Sequence, residues 1–284
     1  MADQDPITIP HMAGGRYAPY GPPPWYFEGY SAAVVMTFDP GAVQNLIPPP
    51  LKLIDNPVCR LTIHDMVCDY GLGERFPQDQ PDQAHFGEAV IGFMVECDGV
   101  IGHWAPYLWC TTDAELAVGR ELYGWQQRLG EMDLTRPPLR RSWKSGDRVT
   151  GLVTRGRRGV FDLSVTLERN GDLPAEIDGL AVSLDPAATN HHYTETVLAH
   201  PTTQAITRKL VSSSMDDVQV TSLWSGAGTF AVHAPELAFL QGSRVLGGRW
   251  HELSWRKPWP NRLIGKPPRH PPHPDGCARG LGSV

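Results

Sequence analysis

The sequence predicts a mainly β (α+β) fold with few, short helices, and three observations carry that prediction. Alternating runs of strand length recur, as in Val58 to Cys68, where Cys59, Leu61, Ile63 and Val67 share one face. Two further runs, Arg148 to Arg155 and Val160 to Glu168, flank the short turn Gly156-Arg-Arg-Gly159, the pattern of a hairpin. The 284 residues include 29 glycines and 27 prolines, which suits a chain with many tight turns.

In chain order, residues 1–24 are Gly- and Pro-rich without periodicity and are expected to form an arm over the surface or over a neighbouring subunit. Tyr30 to Phe38 is small, β-branched and apolar, as a buried strand would be. Asp39 then reads as an N-cap with Pro40 at the first helical position, and Pro48-Pro49-Pro50 stops that short helix. In Val58 to Cys68 the second face carries Arg60, Thr62, His64 and Met66. Glu88 to Cys97 is mostly apolar on both faces, as an interior barrel strand would be. Thr112-x-x-Glu115 is a capping box opening a helix that Gly119 or Gly124 ends. Beyond the hairpin, strands are expected near Thr194 to Ala199, Val211 to Trp224, Thr229 to His233 and Ser243 to Trp255. A domain over residues 25–256 would then be followed by a Pro/Gly-rich flexible tail, 257–284.

Composition excludes several function classes. The net charge of −6 offers nothing to nucleic acid. No run of about 18 apolar residues exists, so no membrane partner is expected. The opening Met1-Ala-Asp-Gln-Asp-Pro lacks the basic and apolar regions of a signal peptide. Cys59, Cys68, Cys97, Cys110 and Cys277 share no metal-type spacing and read as reduced thiols of a cytoplasmic protein. His191-His192 with Glu195 lacks a third ligand at a recognised spacing, so neither a metal site nor a cofactor is expected.

The most informative stretch is Asp113-Ala-Glu-Leu-Ala-Val-Gly-Arg-Glu-Leu-Tyr-Gly-Trp-Gln-Gln-Arg-Leu-Gly130. It resembles the signature of the acetoacetate decarboxylase family, in which an acidic, alanine-rich turn runs into Gly-Arg-Glu, an aromatic, Pro, Lys, Lys and Leu. Gly119-Arg120-Glu121 and Tyr123-Gly124-Trp125 match, but Pro-Lys-Lys reads Gln126-Gln127-Arg128. The resemblance extends to Ile47-Pro-Pro-Pro50-Leu51, to Phe86-Gly-Glu88 and to Asp217-Val-Gln-Val-Thr-Ser-Leu-Trp-Ser-Gly226, roughly residues 25 to 265. It implies a curved antiparallel sheet or cone-like barrel around a buried pocket, assembled as a homo-oligomer. It also puts Gln127 at the Schiff-base lysine, Gly29 at an arginine and Thr62 at a second glutamate, leaving Glu88 as the one matching polar group. An amide cannot condense with a carbonyl, so simple acetoacetate decarboxylation is not expected.

The candidate catalytic residues are therefore Glu88, Gln127, Arg128 and His64, and the candidate substrate contacts are Trp125, Tyr123, Thr62 and Arg120. Burial of Glu88 would raise its pKa into the range of acid–base catalysis; alternatively Glu88 is satisfied in an ion pair with Arg120 or Arg128. Gln127 suits hydrogen bonding to a carbonyl or hydroxyl, and Arg128 a bidentate grip on a carboxylate or enolate. His64 shares a strand face with Thr62 and is either an acid–base partner of Glu88 or a satisfied structural histidine. Arg120 and Glu121 are expected mainly to fix the helix end, while Trp125 and Tyr123 shape an apolar wall. Of the lysines 52, 144, 209, 257 and 266, only Lys209, at the start of a strand, is a candidate to test as a replacement for the Schiff base, because Lys52 and Lys144 sit in turns and Lys257 and Lys266 in the expected tail. The expected function is a lyase, cyclase, dehydratase or isomerase acting without an imine on a carbonyl-bearing small molecule of specialised, polyketide- or terpenoid-like metabolism. The alternatives are a non-catalytic binder of hydrophobic small molecules and a decarboxylase using Lys209.

Overall fold

The computed structural model describes residues 20–21, 23–171, 191–200, 205–258 and 262–263. In chain order the strands are β1 (Trp25–Thr37), β2 (Lys52–Leu53), β3 (Val58–Cys68), β4 (His85–Cys97), β5 (Val100–Cys110), β6 (Gln127–Leu129), β7 (Glu131–Leu134) and β8 (Arg148–Arg155). There follow β9 (Arg158–Thr166), β10 (Arg169–Asn170), β11 (His191–His200), β12 (Ala205–Ser214), β13 (Asp216–Gly226), β14 (Gly228–Val232), β15 (Val245–Lys257) and β16 (Arg262–Leu263). The described α-helices are single turns: α1 (Pro40–Val43), α2 (Phe76–Asp79), α3 (Pro81–Ala84) and α4 (Asp113–Ala117). The fold is thus mainly β, a curved large sheet with few short helices.

Twelve strands make the large sheet in the order β10-β13-β15-β1-β3-β4-β5-β11-β12-β16, with β2 added to β4 and β6 to β5. Pairing is antiparallel except where β5 meets β6 and β11. A four-stranded sheet, β14-β9-β8-β7, covers one face of it. The main core lies between the two sheets, where Ala32, Leu61, Ile63, Ile91, Phe93, Trp109 and Trp250 meet Val153, Phe161 and Leu163. Because side chains alternate across a strand, the remaining positions of β1, β3, β4, β5 and β15 all point to the other face. An aromatic cluster with Trp25, Phe27, Met66, Tyr70 and Tyr123 occupies one end of that face. Val35, Val58 and Met94 occupy the other end. Between them runs a polar band, and it is this band that carries the candidate site.

Several sequence expectations shift in the structure. β1 begins at Trp25, ahead of Tyr30, and the expected strand from Val211 to Trp224 is two strands, β12 and β13. β5 went unrecognised because it contains Pro106. The register slips opposite Ala105 and Pro106, between Ile91 and Phe93 of β4, so the proline sits at a bulge where no ladder donor is needed. The expected tail does not begin at 257: Lys257 is the last residue of β15, paired with Trp25, and β16 lies within the span assigned to the tail. The hairpin turn, the Asp39 cap and the Gly124 helix end all form; Gly124 adopts the left-handed conformation at φ 72°. The cysteines among the described residues, Cys59, Cys68, Cys97 and Cys110, are buried and free.

Candidate active site

The band is built by register. Ser31 of β1 lies opposite both His251 of β15 and His64 of β3, and His64 lies opposite Glu88 of β4. The next inward positions bring Arg249, Thr62 and Arg60 onto the same face. Arg60 Nη2 donates to His103 Nδ1 at 3.2 Å. Thr62 is 1% exposed, and its hydroxyl has no hydrogen-bond partner among the described residues. His64 Nδ1 is in short contact with the Ser31 hydroxyl. Burial, reinforced by the charges of Arg60 and Arg249, pushes the pKa of His64 down to about 3. At neutral pH His64 is therefore an uncharged imidazole, able to pass a hydrogen bond but not to hold a proton as a cation.

The centre of the site is a carboxyl–amide–carboxyl chain. Thr112 caps α4 by accepting from the Glu115 backbone N–H, the forward half of the expected capping box. The Glu115 carboxylate points into the fold and accepts from the Tyr70 hydroxyl at 2.7 Å and from Gln127 Nε2 at 3.2 Å. Gln127 Nε2 also donates to Glu88 Oε1 at 3.0 Å. A π-helical turn over Val118–Tyr123, closed by Gly124, delivers Gln127 to the start of β6 beside Leu108 of β5. At Gly119 a methyl group would overlap the Gln127 amide and would have to displace it. Burial raises the pKa of both carboxyls above the usual range, and for Glu115 the charge of Glu88 adds to the effect. The Gln127 hydrogen bond and the charge of Lys257 pull Glu88 partly back.

Lys257 completes the group. Its amine lies 2.8 Å from the Ser213 hydroxyl and sits 5.1 Å and 5.5 Å from the ring centroids of Tyr123 and Trp125, which stack on each other. Burial pushes its pKa down to about 7, against the opposing pull of Glu88.

The structure brings Glu88, Gln127, His64, Thr62, Tyr123 and Trp125 to one face and sets the two arginines apart. Arg128 follows Gln127 along β6 and so points through the sheet; its guanidinium stacks over Tyr107 and Trp109, on the side of the small sheet. Arg120 is exposed on the π-helical turn rather than buried at a helix end. Neither arginine satisfies Glu88, whose hydrogen-bond partner is the Gln127 amide. Both N–H groups of that amide are engaged by carboxyls, so the carbonyl-polarising role expected of Gln127 has no free donor; its Oε1 alone is unpartnered among the described residues. The side chains of Glu121 and Lys209 lie outside the described residues, as do those of His191 and Glu195. Among the described residues no three His, Cys, Asp or Glu side chains are arranged to hold a metal ion, and no helix is long and apolar enough to cross a membrane.

Sequence reasoning passed over Glu115 and Lys257. Glu115 was absorbed by the capping-box pattern, which explains a first-turn glutamate without asking where its carboxylate points. Lys257 was absorbed by the proline-rich composition that follows it. A signal did exist: Arg249, His251, Leu253, Trp255 and Lys257 alternate, and that alternation runs unbroken to the lysine.

Comparison with known proteins decides the family. The acetoacetate decarboxylase family model matches residues 6–257, ending on Lys257 itself. The chain belongs to the acetoacetate decarboxylase family. Among curated proteins no sequence matches this chain. Among solved structures, an acetoacetate decarboxylase-like enzyme from Sphingomonas wittichii RW1 superposes with a TM-score of 0.76 at 21% identity, covering 92% of this chain and 99% of its own. The enduracididine biosynthesis enzyme MppR, complexed with pyruvate, gives 0.73 at 22% identity, covering 92% and 99%. Acetoacetate decarboxylase from Legionella pneumophila gives 0.70 at 16% identity, covering 91% and 93%. At these identities the superpositions establish a shared fold. The acetoacetate decarboxylase scaffold is thus present over nearly the whole chain, with an amide at its centre.

Proposed function

We propose that this protein is a lyase-type enzyme that moves a proton on a carbonyl-bearing small molecule, using Glu88 as the acid–base group. The observation that carries this reading is the Gln127 amide held between the carboxyls of Glu88 and Glu115. Two carboxyls sharing one neutral donor in a buried place disfavour double ionisation, so the pair retains a proton near neutral pH. Glu115 is sealed by Tyr70 and tunes its partner, whereas Glu88 is half-buried and offers surface to a ligand. A carboxyl poised near neutrality can take a proton from a carbon next to a carbonyl and return it to an oxygen or carbon. Dehydration, cyclisation, isomerisation and retro-aldol cleavage all need that step. With Gln127 unable to form an imine, nothing at position 127 is covalent. MppR binds pyruvate on the same fold, which makes a 2-oxo acid the first substrate class to try.

The test is turnover of pyruvate with a panel of aldehydes, followed by mass spectrometry, in wild type and in Glu88→Gln. The variant keeps shape and hydrogen bonding but cannot carry the proton. We expect turnover to fall by roughly 100-fold or more, while pyruvate affinity measured by calorimetry stays close to wild type. Unchanged turnover would remove Glu88 from the chemistry. Binding without turnover in the wild type would favour a carrier of small molecules.

A further inference from the structure

A buried amine without a counter-ion is costly, and Lys257 is one. It is 1% exposed, and among the described residues no carboxylate lies within ion-pair distance of it. Its surroundings are one hydroxyl, that of Ser213, and two aromatic faces, those of Tyr123 and Trp125. A lysine serving only as a surface cation would reach solvent along its flexible stem. This one, the last residue of β15, is turned inward by the same alternation that turns Arg249 and His251 inward.

Three relations place the amine in the site. Trp125, over whose ring the amine lies, is two residues before Gln127 in the segment that carries the amide to the carboxyls. Tyr123 packs edge-on against Trp25, the strand partner of Lys257. Glu88 is the charged group whose field acts on Lys257, without a direct ion pair between the two.

We propose that Lys257 is the amine nucleophile of this site, attacking the carbonyl carbon of a ketone or 2-oxo acid and forming an imine from a strand other than the one that carries residue 127. This rests on reading the Glu88 site as one that handles carbonyl compounds. Desolvation pushes the Lys257 pKa down to about 7, so a neutral amine is present under ordinary conditions. The nitrogen lone pair forms the C–N bond while the C=O π pair moves to oxygen, which takes a proton from the acid form of Glu88. A nitrogen-bound proton then returns to the Glu88 carboxylate, which passes it to the hydroxyl, and the carbinolamine loses that oxygen as water to leave a protonated imine and the Glu88 carboxylate. Amine and carbonyl thus become imine and water, with no redox change. The protonated imine then acidifies the adjacent C–H, and transfer of that proton to the Glu88 carboxylate yields an enamine.

The experiment is borohydride trapping with pyruvate, acetoacetate and 2,4-pentanedione, read by intact mass and by peptide mapping, on wild type, Lys257→Arg and Lys257→Met. The expected result is a reduced adduct on the wild type, mapped to Lys257, with labelling that accelerates as pH rises through about 7. Arginine keeps a cation over the two rings but cannot form the imine, so a lysine that only packs against aromatics would not distinguish these variants by labelling. No adduct with any of the three probes, or an adduct mapped to another lysine such as Lys209, would overturn the proposal. Should a variant fail to fold, the map of the wild-type adduct decides alone. Loss of turnover in Glu88→Gln with no adduct would leave the acid–base reading standing and remove Lys257; an adduct with full turnover in Glu88→Gln would do the reverse.

Discussion

At the level of single residues, the chain from Glu88 through Gln127 to Glu115 and the nearby Lys257 amine are opposite electrostatic problems solved by proton exchange. Each group would be unstable in its ordinary ionised form, so the carboxyls hold protons and the amine releases one. The consequences for stability have opposite signs. A carboxyl whose pKa is raised by folding stabilises the fold below the ordinary glutamate range, and that contribution is lost as pH rises through the raised value. Lys257 titrates near 7 in the fold and at 10.5 ordinarily, so between those values the unfolded chain binds the extra proton and stability rises with pH. We therefore expect the difference in Tm between wild type and Glu88→Gln to fall as pH is raised from about 5 towards neutrality. A scanning calorimetry series across that range checks it, and a flat difference would mean that Glu88 is not perturbed by folding.

Elements decide which side chains meet. Adjacent residues of β6 diverge, so Gln127 enters the site while Arg128 stacks on Tyr107 and Trp109 across the sheet. Adjacent in sequence is not adjacent in space once a segment becomes a strand. The π-helical turn that precedes β6 is tuned to the amide by Gly119. Gly119→Ala should push the Gln127 amide off its carboxyl partners. We expect a loss of about 1–3 kcal/mol of stability by urea denaturation, together with reduced turnover. Retained turnover in a destabilised variant would show that the carboxyls do not need the amide between them.

The whole molecule supplies rigidity. The small sheet seals one face of the large one, and Phe161 of β9 meets Trp109 of β5 edge-on at 6.1 Å between ring centroids. Phe161 is 1% exposed, so Phe161→Ala leaves a cavity between the sheets. The expected cost is about 3–5 kcal/mol in chemical denaturation, with a single transition if the two sheets unfold as one unit. Two transitions would show that the sheets are separately stable. With one face sealed in this way, the polar band is left to the other face, bounded by aromatics at one end and aliphatics at the other. That boundary leaves Glu88 and His64 half-buried while Glu115, Gln127 and Lys257 are enclosed.

Alternation, turn residues and the match around Gly119 to Trp125 determined the β class, the hairpin, the capped turns and the choice of Glu88 and Gln127 as candidates for one site. These are local properties, set by how neighbouring residues share a strand or a turn. The tertiary structure alone decided that Arg128 leaves the site, that Arg120 stays at the surface, and that Glu115 and Lys257 enter it. Lys257 lies 130 residues beyond Gln127 in the chain, and only the pairing of β1 with β15 carries it back to the aromatic wall. Composition averages over such a residue and registers the prolines that follow. The perturbed acidities belong to the same level, because desolvation depends on what the rest of the chain stacks around a group rather than on its neighbours in sequence.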